Sequence, residues 1–285
     1  MSTPEPVTLT DPITSISLES SGSKDALECT VLKTVSQHST ISYTISDPDA
    51  AKDCLGIKCV LHDDGKRGHL KILVTFSSKG GVIGWIYKHF TVSMVIKLPQ
   101  TQPLSSFVYN SEVGNLTYKG PEVVGLLDVS QGIGNIKIMA PLFSQNLRLS
   151  CNMGDISIQE QCLVSERVSL KLNMGTGKVI GKGAIVGYSV LEASGNMGDF
   201  VMNLRPGVLD SKMDVSCSTG SVKLNVSGFE GIFNIKSTVG SVKVTAPGDI
   251  SCSKNPCEGI VGEDDAKGAL NVITKFGDSK VAFDY

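Results

Sequence analysis

The chain is poor in charge of either sign. Among its 285 residues, 26 are Lys or Arg and 28 are Asp or Glu, and charged residues make up 19%, below the roughly 25% of an average soluble domain. The formal net charge is −2 and the pI about 6.1. Proteins that bind nucleic acids concentrate positive charge on a tail or a patch. This sequence has no basic tail, so we expect no nucleic-acid partner.

Long apolar runs are also missing. The longest stretch without charged or strongly polar side chains is GGVIGWIY at 80–87, far shorter than the about 20 residues that span a bilayer. The first twenty residues contain no Lys or Arg and no continuous apolar core, and a secretory signal needs both. The sequence predicts no transmembrane segment, no signal peptide and a cytoplasmic location, although a chain trimmed of a leader would show the same pattern.

Motifs of catalysis and cofactor binding are absent from the sequence. Its histidines form no HExxH or HxH arrangement, and it has no GxSxG nucleophile elbow and no glycine-rich phosphate loop. We therefore expect a non-enzyme that carries no cofactor and no metal. A carbohydrate-active β-helix enzyme, a lyase or a glycosidase, stays the alternative, because spacing alone does not exclude a pair of acids on one face.

The eight cysteines allow two interpretations. Without a secretory signal, they are expected to be reduced thiols, several of them buried as small hydrophobic side chains. Two pairs, Cys54 with Cys59 and Cys252 with Cys257, are five residues apart, which leaves a zinc site or a disulfide open.

Internal repetition is the strongest signal in the sequence. A short phrase of glycine, a polar residue and an apolar residue returns every 20 to 23 residues, as in GNIKI, GDISI and GSVKL. After a longer gap it returns once more, altered, as GDSKVAF. The repeated glycines are Gly114, Gly134, Gly154, Gly177, Gly198, Gly220, Gly240 and Gly277.

Each phrase follows a segment in which apolar and polar residues alternate, such as LLDVS (126–130) or VSLKL (168–172). Alternation with a period of two predicts strands with one buried face. The residue before each glycine is mostly apolar or branched, which suits the solvated tip of a hairpin poorly. We therefore predict that the residue before the glycine and the residue two positions after it both point inward, around a sharp bend. The last copy is expected to close one end of the stack.

This arrangement predicts an all-β, single-stranded β-solenoid of about 20–23 residues per coil, because one coil buries its apolar edge only against the next. The residue just after each glycine is short and polar in most copies. We expect these side chains to bond backbone groups at the bend, rather than to form a calcium or ligand ladder.

Residues 1–104 lack the repeat and are predicted to form an N-terminal β-cap, followed by solenoid repeats over 105–285 with an inserted loop at 253–268. One segment of the cap, 78–90, holds the only tryptophan. We expect it to fold as a lid; the alternative is an exposed aromatic anchor for a partner or for a membrane surface. The residues of that possible contact are Trp85, Ile86, Tyr87 and Lys88.

The repeat phrases LDVSQGIGNIKI, MDVSCSTGSVKL and FNIKSTVGSVKV resemble the adhesin-like β-solenoid family, a domain of unknown function with glycine-corner repeats. The strand FTVSMVIKLP (90–99) is similar to the entry of that family into its first coil, so the resemblance covers about residues 90–285. It implies a non-enzymatic binding or scaffolding protein. The expected partner is an unknown macromolecule, protein or glycan, or a second copy of the chain, and the family carries no accepted catalytic residues to transfer.

Overall fold

The computed structural model describes residues 6–22, 25–51, 55–63, 68–76, 90–246, 250–263 and 265–284. These residues are mostly β-strand, and the helix among them is a single turn, α1 (Pro48–Ala51). The all-β prediction is therefore confirmed. Within the same residues, no helix has both the length and the apolar character needed to cross a membrane. The chain divides into two compact units, Met1–Ala140 and Pro141–Tyr285, and the boundary after residue 104 stays a prediction.

Ten strands lie in the described part of the first unit. They are β1 (Val7–Leu9), β2 (Ile13–Ser21), β3 (Ala26–Thr34), β4 (Ser39–Ile45), β5 (Leu55–Asp63), β6 (Gly68–Phe76), β7 (Thr91–Pro99), β8 (Leu104–Lys119), β9 (Val123–Ile133) and β10 (Ile136–Ile138). Buried residues alternate with more exposed ones, as in β6, where Leu70, Ile72 and Val74 are fully buried. One face of each strand thus forms the core.

The order of strands in the first unit departs from their order in the chain. The first half of β8 pairs in parallel with β2 and its second half with β3. On their other sides, β2 and β3 pair in parallel with β6 and β7. The strand pair β2/β3, joined at Gly22, therefore lies between β6/β7 and β8.

Antiparallel strands cover the outer edges of β6 and β7. β5 pairs with β6 and β4 with β7, and β1 in turn pairs with β4. An uncovered edge would present a row of unpaired N–H and C=O groups to other chains. The segment between β3 and β6 thus supplies the strands that protect this edge.

Twelve strands lie in the described part of the second unit. They are β11 (Leu142–Met153), β12 (Ile156–Ile158), β13 (Cys162–Val186), β14 (Val190–Arg205), β15 (Lys212–Thr219), β16 (Val222–Ser227), β17 (Gly231–Val239), β18 (Val242–Ala246), β19 (Ile250–Cys252), β20 (Cys257–Val261), β21 (Gly268–Phe276) and β22 (Ser279–Asp284). Strands about one repeat apart pair in parallel, so that Leu170 lies beside Ala193, and Leu191 beside Met213.

The last strand pair of the chain, β21/β22, lies inside the second unit. β21 pairs in parallel with both β15 and β17, and β22 with both β16 and β18. The prediction that the last copy closes one end was wrong. Its strands carry the same alternation as the other copies, with Leu270, Val272 and Val281 buried, and this lets them occupy an interior position.

The predicted insertion at 253–268 overlaps the strands that cover this end of the second unit. β20 pairs antiparallel with β17, and β19 pairs antiparallel with β18. Cys252 in β19 and Cys257 in β20 form a disulfide, so the expectation of a reduced thiol was wrong for this pair and the disulfide alternative was right. The described free thiols are Cys29, Cys59, Cys151, Cys162 and Cys217; Cys54 lies outside the described residues.

The repeated glycines adopt a backbone conformation that other residues rarely take. Seven of the eight have φ between 133° and 144°: Gly114, Gly134, Gly154, Gly198, Gly220, Gly240 and Gly277. The eighth, Gly177, pairs in register with Gly198. At Gly220 an added Cβ would overlap the carbonyl oxygen of Gly198 on the neighbouring strand, so both the φ angle and the space demand glycine. Gly22, which the sequence analysis missed, has a φ of 118°.

The side chains around these glycines bear out half of the inward prediction. Two positions after the glycine, Leu116, Ile136, Phe200 and Val222 are at most 1% exposed. The residue before the glycine points outward instead, and that half of the prediction was wrong. The exposed fractions are 51% for Ile133, 48% for Met153, 44% for Met197, 56% for Val239 and 57% for Phe276.

Candidate binding surface

A buried polar side chain explains why the residue before the glycine faces outward in the first unit. Ser111 donates a hydrogen bond from its hydroxyl to the carbonyl oxygen of Val113, at 3.1 Å, and Gln131 donates one from Nε2 to the carbonyl oxygen of Ile133, also at 3.1 Å. Both donors are 1% exposed. Because a carbonyl that enters the interior needs a partner there, the backbone turns its C=O inward and its side chain outward.

In the second unit, buried donors bond the carbonyl oxygens of the glycines themselves. Ser237 donates from its hydroxyl to the carbonyl oxygen of Gly277 on the neighbouring strand, at 2.7 Å, and Thr274 donates to the same oxygen at 3.3 Å. Cys217 contacts the carbonyl oxygen of Gly198 through its thiol at 3.2 Å. Buried hydrogen-bond donors three positions before the glycine therefore accompany several of these bends.

These outward side chains line up along the second unit. Met197 pairs in register with Thr219, Thr219 with Phe276, and Phe276 with Val239. Neighbouring strands are about 4.8 Å apart, so the four side chains form one row, called here the pre-glycine row. Three of its members are large and apolar and are about half exposed. Phe276 and Val239 are adjacent in the row, and Thr219 separates them from Met197. Exposed apolar side chains that lie together on a folded protein are typical of an interaction site.

The residues just after the glycines bond backbone groups, as the sequence predicted. The carbonyl oxygen of the Asn115 side chain accepts a hydrogen bond from the N–H of Asn135 at 2.7 Å, and one carboxylate oxygen of Asp199 accepts from the N–H of Ser221 at 2.9 Å. Each bond joins the equivalent positions of two neighbouring strands. These residues therefore act in the stacking of strands.

Asp278 makes the fullest set of these bonds. One of its carboxylate oxygens accepts hydrogen bonds from the N–H and from the hydroxyl of Ser241, both at 2.8 Å. These bonds favour the ionised form and lower the pKa of the carboxyl group. Within the described residues, no group of three or more His, Cys, Asp or Glu side chains is arranged to hold a metal ion.

An open cavity of about 280 Å³ lies beside the pre-glycine row. Its lining includes the polar residues Ser194, Asn196, Ser216, Ser218 and Lys275, and the last two directly precede Thr219 and Phe276 of the row. Among the described residues that line it there is no Asp, Glu or His. The cavity therefore offers hydrogen-bonding groups at the side of the row, without the carboxylate pair of a glycosidase.

The buried thiols are poor nucleophiles. Burial raises the pKa of Cys29 and of Cys162 to about 12, and that of Cys151 to about 11. Since the thiolate is the reactive form, these cysteines act as small core residues.

Ser15 and His69 lie within hydrogen-bond distance, 2.7 Å between Oγ and Nδ1. The two are a cross-strand pair of β2 and β6.

The loop predicted to carry the contact with a partner lies outside the described residues. This applies to Trp85, Ile86, Tyr87 and Lys88, so the choice between a lid and an exposed anchor stays a prediction. The pre-glycine row was missed because its members were placed in the core. Three of the four row positions have a buried hydrogen-bond donor two residues before them, whereas Met197 has Gly195 there, so the sequence carries only a partial signal for the row.

Comparison with known proteins gives a likeness of fold. No protein-family model and no curated protein matches the chain. Among solved structures, a putative adhesin from Bacteroides fragilis is 13% identical, with a TM-score of 0.51 and coverage of 97% of either chain. A putative adhesin and a putative lipid binding protein, both from Parabacteroides distasonis, are 10% and 12% identical, each match covering 97% of this chain and 96% of the other, with TM-scores of 0.44 and 0.45. The chain thus shares its fold with the Bacteroides fragilis protein.

Proposed function

We propose that this chain is a non-enzymatic, adhesin-like binding protein, in which each unit is a β-solenoid that presents repeated side chains at a fixed spacing. Parallel pairing about one repeat apart, glycines with positive φ at the bends and buried residues two positions later support the solenoid. The cytoplasmic location stays a prediction.

The observation that carries the binding role is the pre-glycine row. Met197, Phe276 and Val239 expose about half of their surface in one line, although the fold itself needs no apolar residue at these outward positions. Thr219 in the same row shows that a polar residue fits there as well. Apolar side chains on rigid paired strands lose little conformational freedom when a partner covers them. The proposed contact is therefore with the surface of another protein, a second copy of this chain included.

Photo-crosslinking at the centre of the row tests this proposal. A photoreactive residue replaces Thr219, and in a matched control it replaces Asp214, which is exposed on the same strand but outside the row. We expect position 219 to form a crosslinked adduct of defined mass with another protein or with a second copy of this chain. The yield of that adduct should fall when Phe276→Ser and Val239→Ser are added. Equal adducts from both positions, or none from position 219, would contradict the proposal.

The non-enzymatic part has its own test. Incubation of the protein with a panel of polysaccharides is expected to release no reducing ends and no unsaturated products. Release that persists through purification to homogeneity would favour the carbohydrate-active alternative instead.

A further inference from the structure

Three lysines stand in a line on the second unit, each four residues after a member of the pre-glycine row. Lys223 of β16 pairs in register with Lys280 of β22, and Lys280 pairs in register with Lys243 of β18. Each lies three positions after a repeat glycine, and together they are called here the lysine row. In the sequence they are separated by 20 and 37 residues. Only the position of β22 between β16 and β18 brings them together.

All three lysine side chains point outward. Their neighbours in the chain, Val222, Leu224, Val242, Val244 and Val281, are at most 2% exposed, and the lysines themselves are exposed. Because side chains alternate along a strand, the three ammonium groups share one face, with adjacent strands about 4.8 Å apart. Like charges directly opposite each other on a sheet are destabilising.

The described chain does little to neutralise this row. None of the three lysines takes part in the ion pairs seen among the described residues, such as those of Lys71, Arg167 and Lys178. Asp278, two residues before Lys280, is the nearest acid along the strand, and its bonded carboxylate oxygen is occupied by Ser241. Three positive charges in a line, on a chain whose net charge is −2, form a local site of opposite sign to the whole protein.

The positions on either side of Lys223 and Lys243 carry neutral hydrogen-bonding groups, whereas Asp278 and Ala282 flank Lys280. Ser221 and Ser241 lie two residues before two of the lysines, and Asn225 and Thr245 lie two residues after them. Asn225 donates to the side chain of Asn203 at 2.8 Å, so part of this polar surface is already ordered. Hydroxyl and amide groups beside the charges suit a ligand that carries both anionic groups and hydroxyls.

We infer that the lysine row binds a linear anionic polysaccharide, of the polyuronate class, with its chain running across the strands. The long, flexible lysine side chains bring three ammonium groups within reach of carboxylates of such a chain, while the sugar hydroxyls meet Ser, Asn and Thr. Single-stranded nucleic acids bind by stacking their bases on aromatic side chains. The outward positions that flank the row carry Ser, Asp, Asn, Ala and Thr, none of which stacks a base.

The inference uses different residues from the pre-glycine row, so each can fail without the other. The test measures the affinity of the full chain for polygalacturonate at low and at high salt, with neutral dextran and single-stranded DNA as comparison ligands. The test variant carries Lys223→Gln, Lys243→Gln and Lys280→Gln. The matched control carries Lys171→Gln, Lys212→Gln and Lys236→Gln, which removes the same charge from exposed strand positions of the same unit whose in-register partners are not lysines.

We expect polygalacturonate to bind, dextran not to bind, and the affinity to fall as salt rises. The lysine-row variant should bind about tenfold or more weakly and melt no lower than the wild type, because its change removes repulsion between like charges. The control variant should keep most of the affinity, and Arg at the three row positions should restore it.

Three results would overturn the inference. Equal losses in the two triple variants would show a response to net charge alone. DNA binding stronger than polygalacturonate binding, with the same dependence on the row, would assign a nucleic-acid site. Absence of binding to polygalacturonate by the wild type would remove the site, while the crosslinking result at position 219 would still decide the proposed function.

Discussion

Both units cover an exposed sheet edge, the first with long strands and the second with short strands joined by a disulfide. In each, a strand pair near one end of the chain lies between its neighbours: β2/β3 between β6/β7 and β8, and β21/β22 between β15/β16 and β17/β18. The exposed edge then belongs to the neighbouring pair. In the first unit the long strands β4 and β5 cover it, whereas in the second the short strands β19 and β20 cover it and a disulfide joins them.

The strands that cover the edge differ in length between the two units, and only the shorter ones are crosslinked. β4 and β5 contain seven and nine residues, while β19 and β20 contain three and five. A short strand gains few ladder hydrogen bonds and little buried surface to offset the entropy of ordering it. A crosslink lowers that entropy in the unfolded chain. The disulfide therefore substitutes for strand length.

The largest expected effect tests whether the two interior strand pairs are equivalent. Leu18→Ala in β2 and Leu270→Ala in β21 both remove a leucine that is at most 1% exposed. Each should lower the free energy of unfolding by about 2–5 kcal/mol, measured by urea denaturation. A loss below 1 kcal/mol at Leu270 alone, by the same measurement, would break the equivalence and return β21 to a peripheral role.

A smaller effect is expected from opening the disulfide. Reduction of Cys252–Cys257 with a phosphine should cost about 2 kcal/mol for so short a loop, and it should raise amide hydrogen exchange in β17 and β18 before any other strands of the second unit. It should also promote association at high protein concentration, seen by sedimentation, because edges become available. The variant Cys59→Ser, in the first unit, is the control and should change neither readout.

If hydrogen exchange in β17 and β18 is unchanged by reduction, the short strands protect the edge by themselves. The contrast between the two covers would then be one of length only.

The smallest effect separates the charged and neutral residues that follow the glycines. The first unit uses Asn115, and the second uses Asp278, whose pKa is lowered by its bonds to Ser241. A carboxyl group with a lowered pKa stabilises the fold above its unfolded pKa, and this contribution is lost as the pH falls through the folded value. We therefore expect a small drop in melting temperature for Asp278→Ala at neutral pH that disappears in acid.

The matched variant Asn115→Ala removes an amide, which does not itself titrate, together with its hydrogen bonds to the Glu28 carboxylate. It should cause a drop that changes less over the same pH range than that of Asp278→Ala. Parallel pH profiles for the two variants would contradict the assigned role of the Asp278 charge. Thermal melts followed by circular dichroism give both profiles.

Local pattern predicted the strands, the glycines and the buried residues two positions after them. Those features depend on alternation and on φ, which a short window of sequence carries. The direction of the residue before the glycine was predicted wrongly, because it depends on the corner carbonyl. In the first unit that carbonyl accepts a hydrogen bond from the side chain of Ser111 or Gln131, and a count of apolar residues does not register a single buried donor.

The pairing partners of the last strands could not be predicted from local sequence either, for a different reason. Each copy of the repeat carries the same alternation, so β17 offers β15 nearly the same face as β21 does. Which copy becomes the neighbour depends on contacts between residues far apart in the sequence. The lysine row was hidden by the same fact, since Lys280 joins Lys223 and Lys243 only through that order.

The interior position of the last strand pair also bears on how the second unit responds to mechanical tension. A terminal strand at an edge can be peeled away, with one ladder hydrogen bond broken at a time. β21 is held by parallel ladders on both sides, so a force that draws it out along its length loads two sets of bonds in shear together. A pull applied beyond Asp284 reaches β22 first, which is likewise held by parallel ladders on both sides, so two ladders must break together before either strand is drawn out.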